Sequence, residues 1–386
     1  MKRMTRYILL VDDEQNILNA LRRELQDWVE ERSLEILTAL SAQEGLEILK
    51  THGSDTIIVV SDLKMPGIRG SDFLLEVKRT YPSIISILLT GFSETTEIIK
   101  AVRAGIFSFM LKPWDSDYLI SEITKAYEYG EMLRQKTRYM ETVTEELKWA
   151  GELQRTILKP NLPRSDALEF RVSYQPVPGL YCGGDYYDVI FIGANRYLLL
   201  IGDVAGHGVK AAFVTGILKA IIYPEYIRTA VGKELSPAAF LSWLNERMGF
   251  EFRSASNMII TFFAGVLDLG TSTFRYSNAG HNHPFIVREG KPTELFISGP
   301  AIGFSKSVSY EEETTDVRSG DIIDLYTDGL IETFAGGEPS VIDVGPILGR
   351  TAYGAEYHKR ILQTVLAESG VKDFSDDVTI LTAKLL

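Results

Sequence analysis

The sequence predicts a multidomain protein: a doubly wound α/β domain on a five-stranded parallel sheet, a helical connector with coiled-coil character, and an α+β sandwich. Three observations predict it. The chain's 386 residues exceed one ordinary domain. Residues 1–120 alternate short β-rich runs with amphipathic helical stretches, the pattern of parallel strands joined by crossover helices. Beyond about residue 160 the β-rich runs lengthen and helical stretches segregate, as in α+β sandwiches. Residues 121–160 form the connector, and residues 161–386 the second domain.

In the first domain the expected strands are residues 7–11, 34–39, 57–61, 84–90 and 107–111. Ile17, Leu18, Leu21, Leu25 and Trp28 share one helical face, as do Leu46, Ile48 and Leu49. Open parallel sheets gather their chemistry at the carboxyl ends of strands. Asp12, Asp13, Asp62, Thr90 and Lys112 stand there. Carboxylates crowded at one edge repel by about 4 kcal/mol per close pair at an effective dielectric of about 20, which calls for a hard cation such as Mg²⁺. Asp62 is placed to attack a phosphoryl donor, with the metal and Lys112 neutralising the developing charge. An isolated acid pair after a strand is ordinarily a helix cap, so the argument rests on four motifs in order.

Those motifs are Val11-Asp12-Asp13-Glu14, Asp62-Leu63-Lys64-Met65-Pro66-Gly67, Leu89-Thr90-Gly91 and Phe109-Met110-Leu111-Lys112-Pro113. They resemble the receiver domain of response regulators. The resemblance implies that Asp62 is the phosphoacceptor, that Asp12, Asp13 and Asp62 hold Mg²⁺, and that Lys112 contacts the phosphoryl group. Thr90 and Phe109 would be the conformational switch. It also implies a sensor histidine kinase as phosphodonor. Gly91 and Ser108 depart mildly from the family, which more often has Ala and an acid there.

From Asp117 to Pro160 no proline interrupts a helical pattern. Leu133, Met140, Leu147 and Gln154 recur every seventh residue, and Lys136, Val143, Ala150 and Ile157 fill a complementary series. Two readings stay open. One is a parallel homodimer through this helix, with Lys136 and Gln154 as register-setting polar positions; the other is a helix packed on its own domain.

In the second domain the expected strands are residues 196–201, 258–267, 284–288, 322–326 and 378–385, with helices after 209 and 236. Acids again close strands: Gly183-Gly184-Asp185-Tyr186-Tyr187-Asp188, Gly202-Asp203-Val204-Ala205-Gly206-His207-Gly208, Thr327-Asp328-Gly329 and Asp376-Asp377-Val378-Thr379. A single Asp-Gly after a strand is a common turn. Four of them, brought together, would make a hard-oxygen site for two divalent cations that activate a water for phosphoryl transfer. A cysteine phosphatase is disfavoured because no arginine follows Cys182, and a zinc hydrolase because HExxH or paired ligands are missing from the sequence.

These residues, with Asn278-Ala279-Gly280-His281 and Tyr326-Thr327-Asp328-Gly329-Leu330-Ile331-Glu332, resemble PP2C-type phosphatases in their bacterial sporulation and sigma-regulator (SpoIIE/RsbU-like) branch. The resemblance covers nearly all of residues 170–386 and implies a PP2C-like β-sandwich. By it Asp203 bridges two Mn²⁺ or Mg²⁺ ions with the Val204 carbonyl, Asp185 sits beside them, and Asp328 and Asp376 complete the site; Asp203, Asp328 and Asp376 are the catalytic set. Asp377 is the weaker candidate of its pair. His207 does not align with the broader family's proton donor, so the general acid is unassigned, and His281 and His283 either face the site or support a loop. The implied substrate is a phosphorylated STAS-type anti-sigma-factor antagonist.

Composition bounds the alternatives. A formal net charge of −12 disfavours nucleic acid as a partner, and no basic helix-turn-helix is visible. The apolar stretch near the N-terminus is too short for a signal peptide or membrane span, and the single cysteine forms no intrachain disulfide, so a cytoplasmic, membrane-free protein is expected. The rival function is a catalytically silent phosphatase-like adaptor that binds a sigma factor or its regulator.

Overall fold

The structure is a computed structural model that describes residues 5–91, 95–103, 105–230, 234–251, 258–305, 308–335 and 338–386. The chain divides into two compact units, Met1–Val143 and Thr144–Leu386.

The first unit runs β1 (Arg6–Val11), α1 (Gln15–Glu31), β2 (Leu34–Ala39), α2 (Ala42–His52), β3 (Thr56–Asp62), α3 (Gly70–Thr80), β4 (Ile85–Thr90), α4 (Thr95–Arg103) and β5 (Ser108–Leu111). Helix α5 (Ser116–Leu158) follows without a break. The sheet order is β2-β1-β3-β4-β5, parallel throughout. Helices cover both faces, which explains why the strands read as unbroken apolar runs rather than alternating ones. Ile8, Leu10, Ile58 and Val60 pack with α1 and the start of α5, while Leu9, Val11 and Val59 pack with α2 and α3. Five expected strands and the doubly wound arrangement are present, with ends displaced by one residue at most.

The second unit continues with β6 (Leu168–Gln175), β7 (Asp185–Gly193), β8 (Arg196–Val204) and α6 (Val209–Ile221). A π-helical turn (Ile222–Ile227) leads to α7 (Arg228–Ala230) and α8 (Pro237–Glu251). Strands β9 (Ile260–Asp268), β10 (Thr273–Ala279), β11 (Phe285–Arg288), β12 (Lys291–Glu294), β13 (Glu313–Asp316) and β14 (Ile322–Tyr326) follow. A 3-10 turn (Asp328–Leu330), the hairpin β15 (Glu332–Ala335) and β16 (Glu338–Val341), α9 (Gly345–Arg350), α10 (Tyr357–Ser369) and β17 (Val378–Leu385) complete it.

Two five-stranded sheets, ordered β13-β10-β9-β8-β7 and β12-β11-β14-β17-β6, face each other. Alternation along the strands sets the layers. Leu199, Ile201 and Phe263 point inward from one sheet to meet Ile323, Leu325 and Leu381 of the other. The opposite faces carry Leu198, Leu200 and Phe262 to α6 and α8, and Ile322, Tyr326 and Ile380 to α9 and α10. The result is a four-layer α-β-β-α sandwich.

Helix α5 corrects part of the seam expectation. Leu133 packs into the core of the first unit. Gln154 is buried in the second unit, where its side-chain amide bonds the backbone of Gly183, so it cannot serve as a polar seam position. Beyond Tyr118 and Tyr129, the large apolar side chains that α5 leaves exposed include Met132, Tyr139, Met140, Trp149, Leu153 and Ile157.

Among the described residues no helix is long and apolar enough to cross a membrane.

Candidate functional site

In the first unit, the apolar run of β3 ends on Asp62, which is buried together with Asp12 from the end of β1. Lys112, just past β5, bridges them: its Nζ lies 2.6 Å from Asp12 Oδ2 and also pairs with Asp62 Oδ1. The Lys64 N–H donates to Asp62 Oδ2 at 2.7 Å, and the Glu14 N–H to Asp12 Oδ1 at 3.0 Å. Burial raises the Asp62 pKa against the opposing pull of Lys112. Burial also works against the Lys112 charge, but hydrogen bonds from its ammonium to Asp12 and Asp62 hold its pKa above the usual lysine value. Gly70 is required beneath this site, because a Cβ there would fall 1.9 Å from the Asp62 carbonyl oxygen. Asp13 is exposed. Thr90 is buried at the end of β4, and Phe109 on β5 is exposed.

In the second unit the acids meet across both sheets. Asp185 and Asp203 are directly opposite residues of the antiparallel β7/β8 pair, and Thr261 of β9 lies on the other side of Asp203. Like charges placed so destabilise a sheet unless something neutralises them. Gly184 makes the arrangement possible: a Cβ there would stand 2.6 Å from the Val204 carbonyl oxygen and 2.8 Å from Asp203 Oδ1. Asp328 opens the turn after β14, and Asp376 precedes β17, the neighbour of β14.

The electrostatics register the crowding. Burial, then the charges of Asp328, Asp376 and Asp377, lift the Asp203 carboxyl to about 8. Burial and then Asp376 lift Asp328 to about 6. Asp185 lies well above the carboxylate range through burial and then Asp203. None of these three acids has a lysine or arginine ion-pair partner among the described residues. Anionic oxygens and a backbone carbonyl without a counter-ion form a donor set suited to hard divalent cations. They are not drawn onto one point: among the described residues no three His, Cys, Asp or Glu side chains close to metal-holding geometry.

Asp377 has another task. Its Oδ1 accepts the Val177 N–H at 3.0 Å and its Oδ2 the Gly184 N–H at 2.8 Å, tying the loop that carries Asp185 to the start of β17. Asp376, by contrast, is exposed. His207 is exposed too. His281 is buried, with Nδ1 2.7 Å from Thr261 Oγ1, and burial depresses its pKa to about 4. His283 pairs with Glu294 at 2.9 Å and packs against Phe296. Cys182 is a buried free thiol whose pKa is raised by burial.

Four supporting residues are not singled out for this role by the sequence. Thr327 and Thr379 both donate hydroxyl hydrogen bonds to Asp185, at 2.9 and 2.7 Å. Gln154, near the end of α5, donates to the Gly183 carbonyl at 2.7 Å and to Thr215 Oγ1 at 3.0 Å, and accepts the Gly183 N–H at 3.1 Å. Gly151, one turn earlier, lies so close to the Tyr181 carbonyl that a Cβ would approach it to 2.0 Å. For Gln154 and Gly151 the sequence signal is small and polar residues interrupting an otherwise amphipathic helix, and Thr327 and Thr379 stand inside the acid motifs themselves.

Comparison with known proteins follows the same division. The family profile of Stage II sporulation protein E (SpoIIE) matches residues 193–386, and that of the response regulator receiver domain matches residues 8–124. Phosphoserine phosphatase RsbU of Bacillus subtilis (strain 168) is 27% identical over 222 residues, covering 56% of this chain and 62% of RsbU. The hydrogenase transcriptional regulatory protein HoxA of Cupriavidus necator is 36% identical over 122 residues, 31% of this chain and 24% of HoxA. The first curated relatives are matched over only 24%, 32% and 26% of their own lengths. The solved SiaA-PP2C domain of Pseudomonas aeruginosa aligns with a TM-score of 0.54 at 22% identity, over 64% of this chain and 99% of that one, a likeness of fold.

Proposed function

Because the chain belongs to the Stage II sporulation protein E family and joins that domain to a receiver, we propose that it is a two-component response regulator whose phosphorylation at Asp62 regulates a metal-dependent protein serine/threonine phosphatase. The observation that carries the phosphatase reading is the facing pair of buried Asp185 and half-buried Asp203, beside Asp328 and without a lysine or arginine ion-pair partner among the described residues.

Asp203 and the Val204 carbonyl, with Asp185, Asp328 and Asp376, would hold two Mn²⁺ or Mg²⁺ ions. Bound there, such ions lower the pKa of a water and clamp the phosphoryl oxygens. The protein's own part is to hold the acids in place: Gly184 admits Asp203 and the Val204 carbonyl at close range, and Asp377 fixes the Gly184 backbone. The substrate is a phosphoserine or phosphothreonine protein of the STAS-type anti-sigma antagonist class. In the receiver, Asp12, Asp13 and Asp62 would hold Mg²⁺, a sensor histidine kinase supplies the phosphoryl group, Lys112 steadies it, and Thr90 and Phe109 switch.

Coupling is assigned to α5. The helix starts in the first unit and, in its last turns, sets Gln154 on Gly183, two residues before Asp185, so a shift or rotation of α5 would act on the metal-ligand loop through two hydrogen bonds. Its exposed Met132, Tyr139, Met140, Trp149, Leu153 and Ile157 support a homodimer through this helix.

Hydrolysis of a small aryl phosphate by the full chain tests the reading. Activity should require Mn²⁺ or Mg²⁺ and fall at least about 100-fold in Asp328→Asn. Metal binding without hydrolysis in any state would favour the adaptor instead.

A further inference from the structure

Asp185 is nearly wholly buried, and both hydrogen bonds to it fall on one oxygen. Thr379 Oγ1 lies 2.7 Å and Thr327 Oγ1 2.9 Å from Oδ2. Proton directions follow from the chain of donors. The Thr379 N–H donates to Thr327 Oγ1 at 2.9 Å, which leaves the Thr327 hydroxyl hydrogen free to point at an acceptor. Asp185 Oδ2 is nearer than the other acceptor in reach, the Asp377 carbonyl at 3.4 Å. With a cation bound, the Asp185 carboxylate would be ionised and have no proton to give, so both hydroxyls would donate. Each carboxylate oxygen offers about two lone-pair positions, and on Oδ2 both are taken.

A second buried aspartate in the same unit shows the alternative. Asp324 also receives two hydroxyls, but Tyr357 takes Oδ2 at 2.7 Å and Thr382 takes Oδ1 at 2.6 Å. That carboxylate is capped on both sides. At Asp185, no hydrogen bond falls on Oδ1 among the described residues.

Resting on the phosphatase reading above, we propose that Thr327 and Thr379 are positioning residues that restrict Asp185 to one-oxygen coordination and thereby favour small octahedral cations over Ca²⁺. Mn²⁺ and Mg²⁺ accept a single carboxylate oxygen within six ligands, whereas Ca²⁺ gains from two-oxygen carboxylates in larger shells. A cation reaching for both oxygens would have to displace a threonine hydroxyl from Oδ2. Neutral donors suit this task, since a lysine or arginine would compete with the metal.

The test is direct titration of the full chain with Mn²⁺ and Ca²⁺ by calorimetry, using Asp203→Asn as the blank for binding elsewhere. Thr327→Val and Thr379→Val should each raise the Ca²⁺-to-Mn²⁺ affinity ratio about tenfold, and Thr327→Ser and Thr379→Ser should keep the wild-type ratio. An unchanged ratio in folded valine variants overturns the proposal, even if both affinities fall together, since that marks a purely structural role. Should the valine variants not fold, infrared difference spectra of the wild-type chain against Asp185→Asn decide. Widely split carboxylate stretches with Mn²⁺ bound support one-oxygen coordination, and narrowly split ones overturn it. Wild-type chain that binds no Mn²⁺ above the blank overturns the phosphatase reading itself, and the inference with it.

Discussion

The two acid clusters of this chain solve one electrostatic problem in different ways. In the first unit Lys112 lies between Asp12 and Asp62, so the cluster carries its own counter-ion. In the second unit Asp185, Asp203 and Asp328 are surrounded by hydroxyls, backbone N–H groups and one another. The first cluster sets one ammonium against two buried carboxylates, and under the proposed function a Mg²⁺ ion would supply the rest of the positive charge. Under the proposed function, the second would take its positive charge from bound divalent cations. Under the proposed function, built-in and borrowed positive charge would mark the regulated input and the hydrolytic output.

The contrast can be broken most forcefully at Lys112. Lys112→Met leaves two buried carboxylates without their partner and should destabilise the first unit by about 3 kcal/mol or more, read as a lowered first-unit transition in calorimetry. The second-unit transition should be insensitive to that change yet rise with added Mn²⁺.

Asp324 sharpens the comparison as a buried acid with neither lysine nor metal. Burial, opposed by hydrogen bonds from Thr382 and Tyr357, raises its carboxyl to about 6. The folded state therefore binds this proton more tightly than the unfolded chain, so its stabilising contribution is complete below the unfolded pKa of about 3.9 and is lost as pH rises through about 6. Asp324→Asn should remove this fall, worth up to about 3 kcal/mol, from the pH dependence of second-unit stability between pH 4 and 7. A stability difference between variant and wild type that does not change with pH would contradict it.

A smaller effect is expected at Gln154. Gln154→Leu keeps the volume but strands the Gly183 N–H and carbonyl, costing about 1–3 kcal/mol. Its signature is functional: the response of phosphatase rate to receiver phosphorylation should weaken while Asp62 still accepts phosphate. An unaltered response would remove α5 from the coupling route.

Legibility of the sequence follows the same physics. The receiver strands were readable because burial on both faces leaves continuous apolar runs such as Ile57-Ile58-Val59-Val60. The central strands β8, β9, β14 and β17 were readable for a like reason. Edge strands were not: β12 carries a proline and β13 reads Glu-Thr-Thr-Asp, compositions that a solvent-facing edge tolerates and a turn also favours. Strand β7 is hidden because its first residues, Asp185–Asp188, belong to the acid motif that reads as a strand end rather than a strand start. Acids at strand ends could be found by their punctuation. Thr327, Thr379 and Asp377 could not, since their work is done across two sheets between residues nearly 200 apart in sequence. Gln154 was misplaced because a seven-residue recurrence does not say which partner a face meets.

The most direct test of the central claim is the Mn²⁺-dependent aryl phosphatase rate of the full chain with and without beryllofluoride, a mimic of the phosphoryl group on Asp62. The account predicts a rate that changes with beryllofluoride in the wild-type chain and does not change in Asp62→Asn. An active phosphatase whose rate is the same with and without beryllofluoride in both proteins would contradict it.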